Sequence, residues 1–337
     1  MQKEDIIRFF EKSIDQKVLN CTELPASGSA RKNFIIQTGQ KNFVITYNEN
    51  REENEAFFYF TEKFSEQNLN TPDVYNISDD RLTYIQTFLG KKTLSDIIAE
   101  EGQSDRVELL VQQTLDRLFT LQEKTKFNID YHKTFEYQAY DSLPILHDLN
   151  YFKFMFVDVL ELKYHKSKLL MEFQKIASKI ENLQPTGIMI RDFQSRNIMV
   201  DDKDQVHFID YQSAMKGPLI YDVVSFLHQA KANFDDDFKQ KMFKYYCSKF
   251  SQENQELLIA SFPCIQFMRF TQVLGAYGFR GLVQRKNHFI ESIPQGVINW
   301  VHFMETWKDA DFFPELVKIQ QQLKNLDLPS KIKDLTK

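Results

Sequence analysis

Apolar and polar positions split the chain into an N-terminal stretch of short alternating runs and a longer C-terminal stretch of helical periodicity. Residues 3–14 alternate charged and apolar side chains at helical spacing and predict a helix, followed by a loop containing Pro25 and Gly28. Two β-branched and aromatic runs, 33–38 and 42–47, flank a Gly-Gln-Lys turn and predict a hairpin. Phe57, Phe60 and Phe64 mark the buried face of a helix over 51–66, and 74–77 and 82–88 read as two further strands. The character changes at Gly90. Residues 94–98 begin a helical region, 107–121 is strongly amphipathic, a long mixed helical stretch covers 148–183, and apolar-periodic helices fill most of 218–323. The polar tail from Asp327 predicts fraying. The pattern divides the chain into a small, mostly antiparallel sheet with one helix (1–90) and a helical remainder (91–337).

Composition narrows this picture. With 337 residues the chain is long enough for two lobes, and its 26% charged and 42% hydrophobic residues are those of a soluble globular protein. Thirty-one phenylalanines, 14 tyrosines and only 10 glycines predict aromatic-rich, largely helical cores. A net charge of −5 speaks against a broad nucleic-acid surface but leaves room for a local basic cleft. Cys21, Cys247 and Cys264 have no disulfide or metal spacing and read as buried thiols in a reducing cytosol. The first residues lack the apolar core of a signal peptide, and no run approaches 18 apolar residues, so a cytoplasmic protein without a membrane partner is expected. Oligomeric state is left open.

The chemistry concentrates in the stretch 190–210, IRDFQSRNIMVDDKDQVHFID. Asp192 and Asn197 lie five residues apart, and a predicted strand, a polar turn and a second strand then deliver Asp210. Singly, Asp192 and Asn197 suit a polar loop with Asx caps, and Asp210 suits a turn after a strand. Together they suit phosphoryl transfer: one carboxylate facing an acceptor hydroxyl, and an amide oxygen and a second carboxylate for Mg2+. Arg191 has a carboxylate partner to seek elsewhere.

RDFQSRNIMV followed by HFIDYQSAMKGPLIYDVVSFL resembles the aminoglycoside phosphotransferase and choline kinase family, and within it the bacterial anomeric kinases of N-acetylmuramate and N-acetylglucosamine. The segment 267–294 also resembles the C-terminal region of those sugar kinases. The resemblance implies an α+β, two-lobed protein-kinase-like fold, with ATP bound between a β-rich N-terminal lobe and a helical C-terminal lobe. It implies Asp192 as the catalytic aspartate with Arg191 beside it, Asn197 and Asp210 as Mg2+ ligands, and Asp222 as a buried brace of the catalytic loop, a position that a helix N-cap also explains. Gly28 and Ser29 stand where the phosphate-capping loop runs, and Glu53 stands where the fold's helix carries a glutamate. Thr87 and Leu89 belong to the segment that offers backbone groups to adenine. For a small sugar or amino-sugar acceptor, Asp148 matches an acidic position of the relatives, while reading equally well as a helix cap. Tyr151, Arg280 and Arg285 are further candidates, against packing for the tyrosine and a solvated face for the arginines.

Three positions depart from the family pattern. Ile190 stands where relatives carry histidine, and the phosphate loop SGSARKNF holds one glycine. Thr46 occupies the strand position of the lysine that grips the nucleotide phosphates, and Arg31 or Lys32 is the available substitute. The expected function is ATP-dependent transfer of a phosphoryl group to a sugar hydroxyl. A catalytically weak kinase-fold binding protein and an aminoglycoside or choline-type kinase are the alternatives. A protein kinase is disfavoured, because YQSAMKGPLIYD runs from Asp210 straight into a helix.

Overall fold

In the computed structural model, which describes residues 2–25, 31–229 and 232–336, the N-terminal region is built on one antiparallel sheet. Its strands β1 (Asn20–Glu23), β2 (Lys32–Gln37), β3 (Asn42–Tyr47), β4 (Val74–Ile77) and β5 (Thr83–Thr87) are ordered β1-β2-β3-β5-β4. The register sets Phe34 opposite Ile45, and Ile45 opposite Ile85. Alternation therefore sends these side chains to one face, where Ile6 and Phe10 of α1 (Lys3–Ile14) close a core with Cys21, Ile36 and Phe43. Strand β1 falls within the expected loop. It is four residues long with one buried position, Cys21, too short for alternation to be legible.

The other face of the sheet packs on α2 (Arg51–Glu66), capped by the Asn50 side chain accepting from the Glu53 N–H. Phe57 and Phe58 lie against Tyr84, with ring centroids 5.0 and 5.1 Å away. Phe57 and Phe64 enclose Tyr211, at 5.2 and 5.0 Å. The Tyr211 hydroxyl shares a 2.7 Å hydrogen bond with Thr61, and burial pushes its pKa up, so the phenol stays neutral. The residue after Asp210 is thus anchored to the same helix that carries Glu53.

Beyond the sheet come β6 (Lys92–Thr93), α3 (Leu94–Glu101) and α4 (Asp105–Thr125), the last two capped by Thr93 and Ser104. Strand β7 (Thr186–Met189) leads into the motif, and β8 (Ile198–Val200) and β9 (Val206–Phe208) form the expected hairpin. The Asp201 carboxylate closes its turn by accepting from Lys203 N and Gln205 N, each at 2.9 Å. Strand β6 adds to β8, making a three-stranded sheet, β6-β8-β9. Gly90, at φ 129°, makes this approach possible: a Cβ there would lie 2.6 Å from the Val200 carbonyl oxygen.

The remaining helices are α5 (Ser142–Phe152), α6 (Lys166–Glu181), α7 (Ile220–Leu227), α8 (Asp236–Cys247), α9 (Gln252–Tyr277), α10 (Asn287–Ile290), α11 (Ile293–Thr306), α12 (Pro314–Asn325) and α13 (Leu328–Thr336). The expected helical stretch 148–183 is broken. After a π-helical turn at Lys153–Val157, the buried Lys153 ammonium and the Tyr164 hydroxyl both bond the Asp158 carboxylate, at 2.7 and 2.5 Å, and the chain reverses before α6. The tail is not frayed, because α13 buries Leu328 and Ile332. Helical residues Gln252–Val283 are long and apolar enough by composition to cross a membrane, but half of their most apolar window is buried within the protein. Gly275 and Gly278 of that stretch lie against the backbone of Phe152 and Met155, which marks it as a packed core helix. The three cysteines are free and buried, and burial pushes the Cys247 thiol up to about 12.

The class is α+β, a two-lobed kinase-like fold with a β-rich N-terminal and a helix-rich C-terminal region. Two compact units form, one of Met1–Gln138 with Gly187–Met215 and one of Ala139–Thr186 with Lys216–Lys337. Gly90→Ala is expected to lower the free energy of unfolding by roughly 2–4 kcal/mol, from combined backbone strain and overlap with Val200. Urea denaturation checks this, and an unchanged midpoint would contradict the packing argument.

Candidate active site

The catalytic segment begins with a tight reversal. Asp192 N–H donates to Ile190 O at 3.0 Å across Arg191, whose φ is 73°. This is a γ-turn with a positive central φ, a strained form that persists only where surroundings hold it. Ile190, at the start of this turn, is buried. A second turn follows, with Asn197 N–H donating to Gln194 O at 2.8 Å. The Asp192 carboxylate then receives Gln194 Nε2 at 2.7 Å and Arg196 Nη2 at 2.8 Å.

Asn197 joins the two acidic positions. Its Nδ2 lies 2.9 Å from Asp192 O, 3.4 Å from Asp192 Oδ2 and 3.3 Å from Asp210 Oδ2. Ile209 N–H donates to Asn197 O at 3.0 Å, which ties the end of β9 to the same residue. Asp210 has φ 64°, and its Oδ1 accepts from Gln212 Nε2 at 3.0 Å and from Arg31 Nη2 at 2.5 Å. Two carboxylates and one amide thus converge from a loop and a strand end, all within one compact unit.

The position without lysine is filled by a neutral network. Thr46 is buried; its hydroxyl donates to Asn33 Oδ1 at 2.8 Å and accepts from Gln86 Nε2 at 2.9 Å. Asn33, Thr46 and Tyr84 face one another on β2, β3 and β5. Charge comes instead from Arg31, which directly precedes β2. Its guanidinium stands 3.7 Å from Glu53 and 2.5 Å from Asp210. Burial works against the charge, yet the Asp210 carboxylate, with help from Glu53, raises the Arg31 pKa above its ordinary value. Glu53 is held by Asn48 Nδ2 at 2.8 Å, while Glu55 turns to Arg51 and Arg81 at the surface. Lys32, the other candidate substitute, is exposed.

The residues present fit a magnesium ion by their donor chemistry. Among the described residues no cluster of three or more His, Cys, Asp or Glu side chains is placed to hold a metal. Mg2+ needs no such cage: it keeps several waters and takes one or two protein oxygens plus substrate phosphate oxygens. Asp210 and Asn197 supply that set.

Gly28 and Ser29 fall outside the described residues. Thr87 ends β5, and its N–H donates to Asp73 O at 3.0 Å; Leu89 follows before β6. In the second unit, Asp148 sits inside α5, buried, and accepts from the Tyr140 hydroxyl at 3.0 Å; the cap of that helix is Asp141. Tyr151 lies one turn on, stacked on His147 and touching Phe279. Arg280 covers the Phe289 ring at 5.2 Å, Arg285 is exposed with φ 56°, and Asp222 is fully buried in the first turn of α7. Sequence reading missed Asn48, Asn33, Gln86 and Gln212. For Asn33 and Gln86 the available signal was polar residues at inward strand positions, legible only once the hairpin register is known; Asn48 and Gln212 lie outside the strands and gave none.

The fold is that of a kinase-like protein. Residues 21–257 match the family described as Phosphotransferase enzyme family, and the chain belongs to that enzyme family. N-acetylmuramate/N-acetylglucosamine kinase of Neisseria meningitidis serogroup B is 26% identical over 174 residues, covering 50% of this chain and 49% of that protein. The chain therefore matches about half the length of this curated relative. Among solved structures, the gentamicin complex of APH(2'')-IIa is 15% identical with a TM-score of 0.60, covering 89% of this chain and 96% of that one. The ADP-bound aminoglycoside phosphotransferase APH(2'')-Ib is 14% identical with a TM-score of 0.60, covering 90% and 99%.

Asn197→Ala removes the amide between the two carboxylates and is expected to destabilise the fold by roughly 1–3 kcal/mol. Arg196→Ala, which opens a half-exposed ion pair, should cost at most about 1 kcal/mol. Chemical denaturation of both variants checks the order, and a reversed ranking would deny Asn197 its bridging role.

Proposed function

We propose that the protein transfers the γ-phosphoryl group of ATP to a hydroxyl of a small sugar, and that the acceptor is the anomeric hydroxyl of an N-acetylated amino sugar. The observation that carries this reading is the convergence of Asp192, Asn197 and Asp210 with the Arg31–Glu53 pair. The choice of acceptor rests on the likeness to the Neisseria kinase.

In this reading residues 1–90 form the nucleotide-binding lobe and 91–337 the catalytic and acceptor-binding lobe. Asp192 orients the acceptor hydroxyl and takes its proton as the oxygen bonds to the γ-phosphorus, while the bridging P–O bond breaks and ADP leaves. Arg191 holds the turn that presents Asp192. Asn197 and Asp210 would hold a magnesium ion, which would supply charge neutralisation at the transferring phosphoryl. Arg31 and Glu53 serve the nucleotide phosphates in place of the lysine–glutamate pair, Gly28, Ser29 and Lys32 border them, and the backbone near Thr87 and Leu89 receives the base. Asp148, Tyr151, Arg280 and Arg285 serve the acceptor, the arginines suiting a sugar carboxylate, and Asp222 is structural. Such chemistry belongs in the cytoplasm, where ATP is supplied.

One observation favours a second reading, a weakly catalytic nucleotide-binding protein: Thr46 and its neutral network fill the place of the strand lysine. The experiment that separates the two is incubation with Mg-ATP and a panel of free sugars, N-acetylated amino sugars, choline and aminoglycosides, with phosphorus NMR of the products. An anomeric phosphate of an N-acetylated amino sugar is expected, and Asp192→Ala should lower kcat by about 10²–10⁴-fold with its melting temperature retained. ATP binding without turnover on any acceptor would select the second reading.

A further inference from the structure

Asp210 Oδ1 already holds a cation. Arg31 Nη2 stands 2.5 Å from it, and the two side chains are only 17% and 25% exposed, so water screens the pair poorly. The same carboxylate is the charged member of the metal-ligand pair. A guanidinium and a divalent ion held on one poorly screened carboxylate repel each other, so the two compete for Asp210. The second partner of Arg31 is already in place. Glu53 waits at 3.7 Å, longer than a hydrogen bond, and is oriented by Asn48 rather than by Arg31. Arg31 Nε is buried and makes no hydrogen bond among the described residues, so one donor is unsatisfied in this arrangement. Thr46 places a neutral hydroxyl, bonded to Asn33, on that strand face.

Resting on the proposed kinase reading, we propose that Arg31 is a placeholder cation: it neutralises Asp210 while the site is empty, and leaves it for Glu53 and the nucleotide phosphates when a divalent ion arrives with the nucleotide. A strand lysine tied to its helix glutamate leaves the metal carboxylate open; the cation entering from the start of β2 reaches both carboxylates. Coupling follows from charge. A metal ion alone must displace Arg31 with no phosphate to receive it, so metal binding without nucleotide is penalised. The metal–nucleotide complex brings the replacement anion with it, so metal and nucleotide bind as a unit.

The test uses the full chain with Mn2+ as the metal probe, read by electron paramagnetic resonance, and a non-hydrolysable ATP analogue. Wild-type protein should bind Mn2+ weakly alone and well with the analogue. Arg31→Ala should tighten Mn2+ binding to the nucleotide-free protein by roughly tenfold or more and weaken binding of the Mn2+–analogue complex by a similar factor. Arg31→Gln, closer in shape, repeats the measurement should the alanine variant fail to fold, and Arg31→Lys should restore part of the coupling. Unchanged or weaker Mn2+ binding in nucleotide-free Arg31→Ala or Arg31→Gln overturns the placeholder role alone, provided Asp210→Asn abolishes binding. Full Mn2+ binding with the analogue in Asp210→Asn removes the metal role of Asp210 and the kinase reading with it.

Discussion

Two carboxylates, Asp192 and Asp210, stand on either side of a single amide nitrogen, and the site depends on holding them so close together. Charge repulsion between them would push the loop apart unless donors surround them. Asn197 Nδ2 lies within 3.4 Å of an oxygen of each. Gln194 and Arg196 complete the shell of Asp192, and Gln212 and Arg31 that of Asp210. The backbone serves this arrangement. A γ-turn at Arg191 and a left-handed Asp210 aim the two side chains, and the β8–β9 hairpin sets how far apart they start.

The aromatic core makes such strain tolerable. Tyr211, next to Asp210, is enclosed by Phe57 and Phe64 and bonded to Thr61, all on α2. Glu53 rises from the first turn of the same helix. Asp210 and Glu53, the two carboxylates that Arg31 reaches, are therefore both tied to the packing of α2, and packing energy from buried phenylalanines supports electrostatics a few residues away. Thr46 sits satisfied within the sheet, because Asn33 and Gln86 bond its hydroxyl. The cation stands one strand over, directly before β2, within reach of Asp210.

Much of the framework is legible in the pattern of residues. Helices α1 and α2, the β2–β3 hairpin and the β8–β9 hairpin follow from periodicities long enough to read and from turn residues between them. Elements with one or two inward positions are not legible: β1 offers Cys21 alone, and β6 is two residues long. The break between α5 and α6 depends on Lys153, Asp158 and Tyr164 meeting, which no local preference encodes. Helix α13 reads as a polar tail because only Leu328 and Ile332 give it a buried side.

For the site, the spacing of Asp192, Asn197 and Asp210 already places them together, because a loop, a strand and a turn of those lengths deliver three oxygen-bearing side chains to one end of a hairpin. Which cation stands beside them was not decided by the sequence. Arg31 and Lys32 are adjacent and equally charged, one directly before β2 and the other its first residue. Strand alternation sends one to solvent and the other to the face where Glu53 and Asp210 lie. Only the tertiary structure settles that choice, since it depends on which face of β2 the helix and the returning hairpin cover.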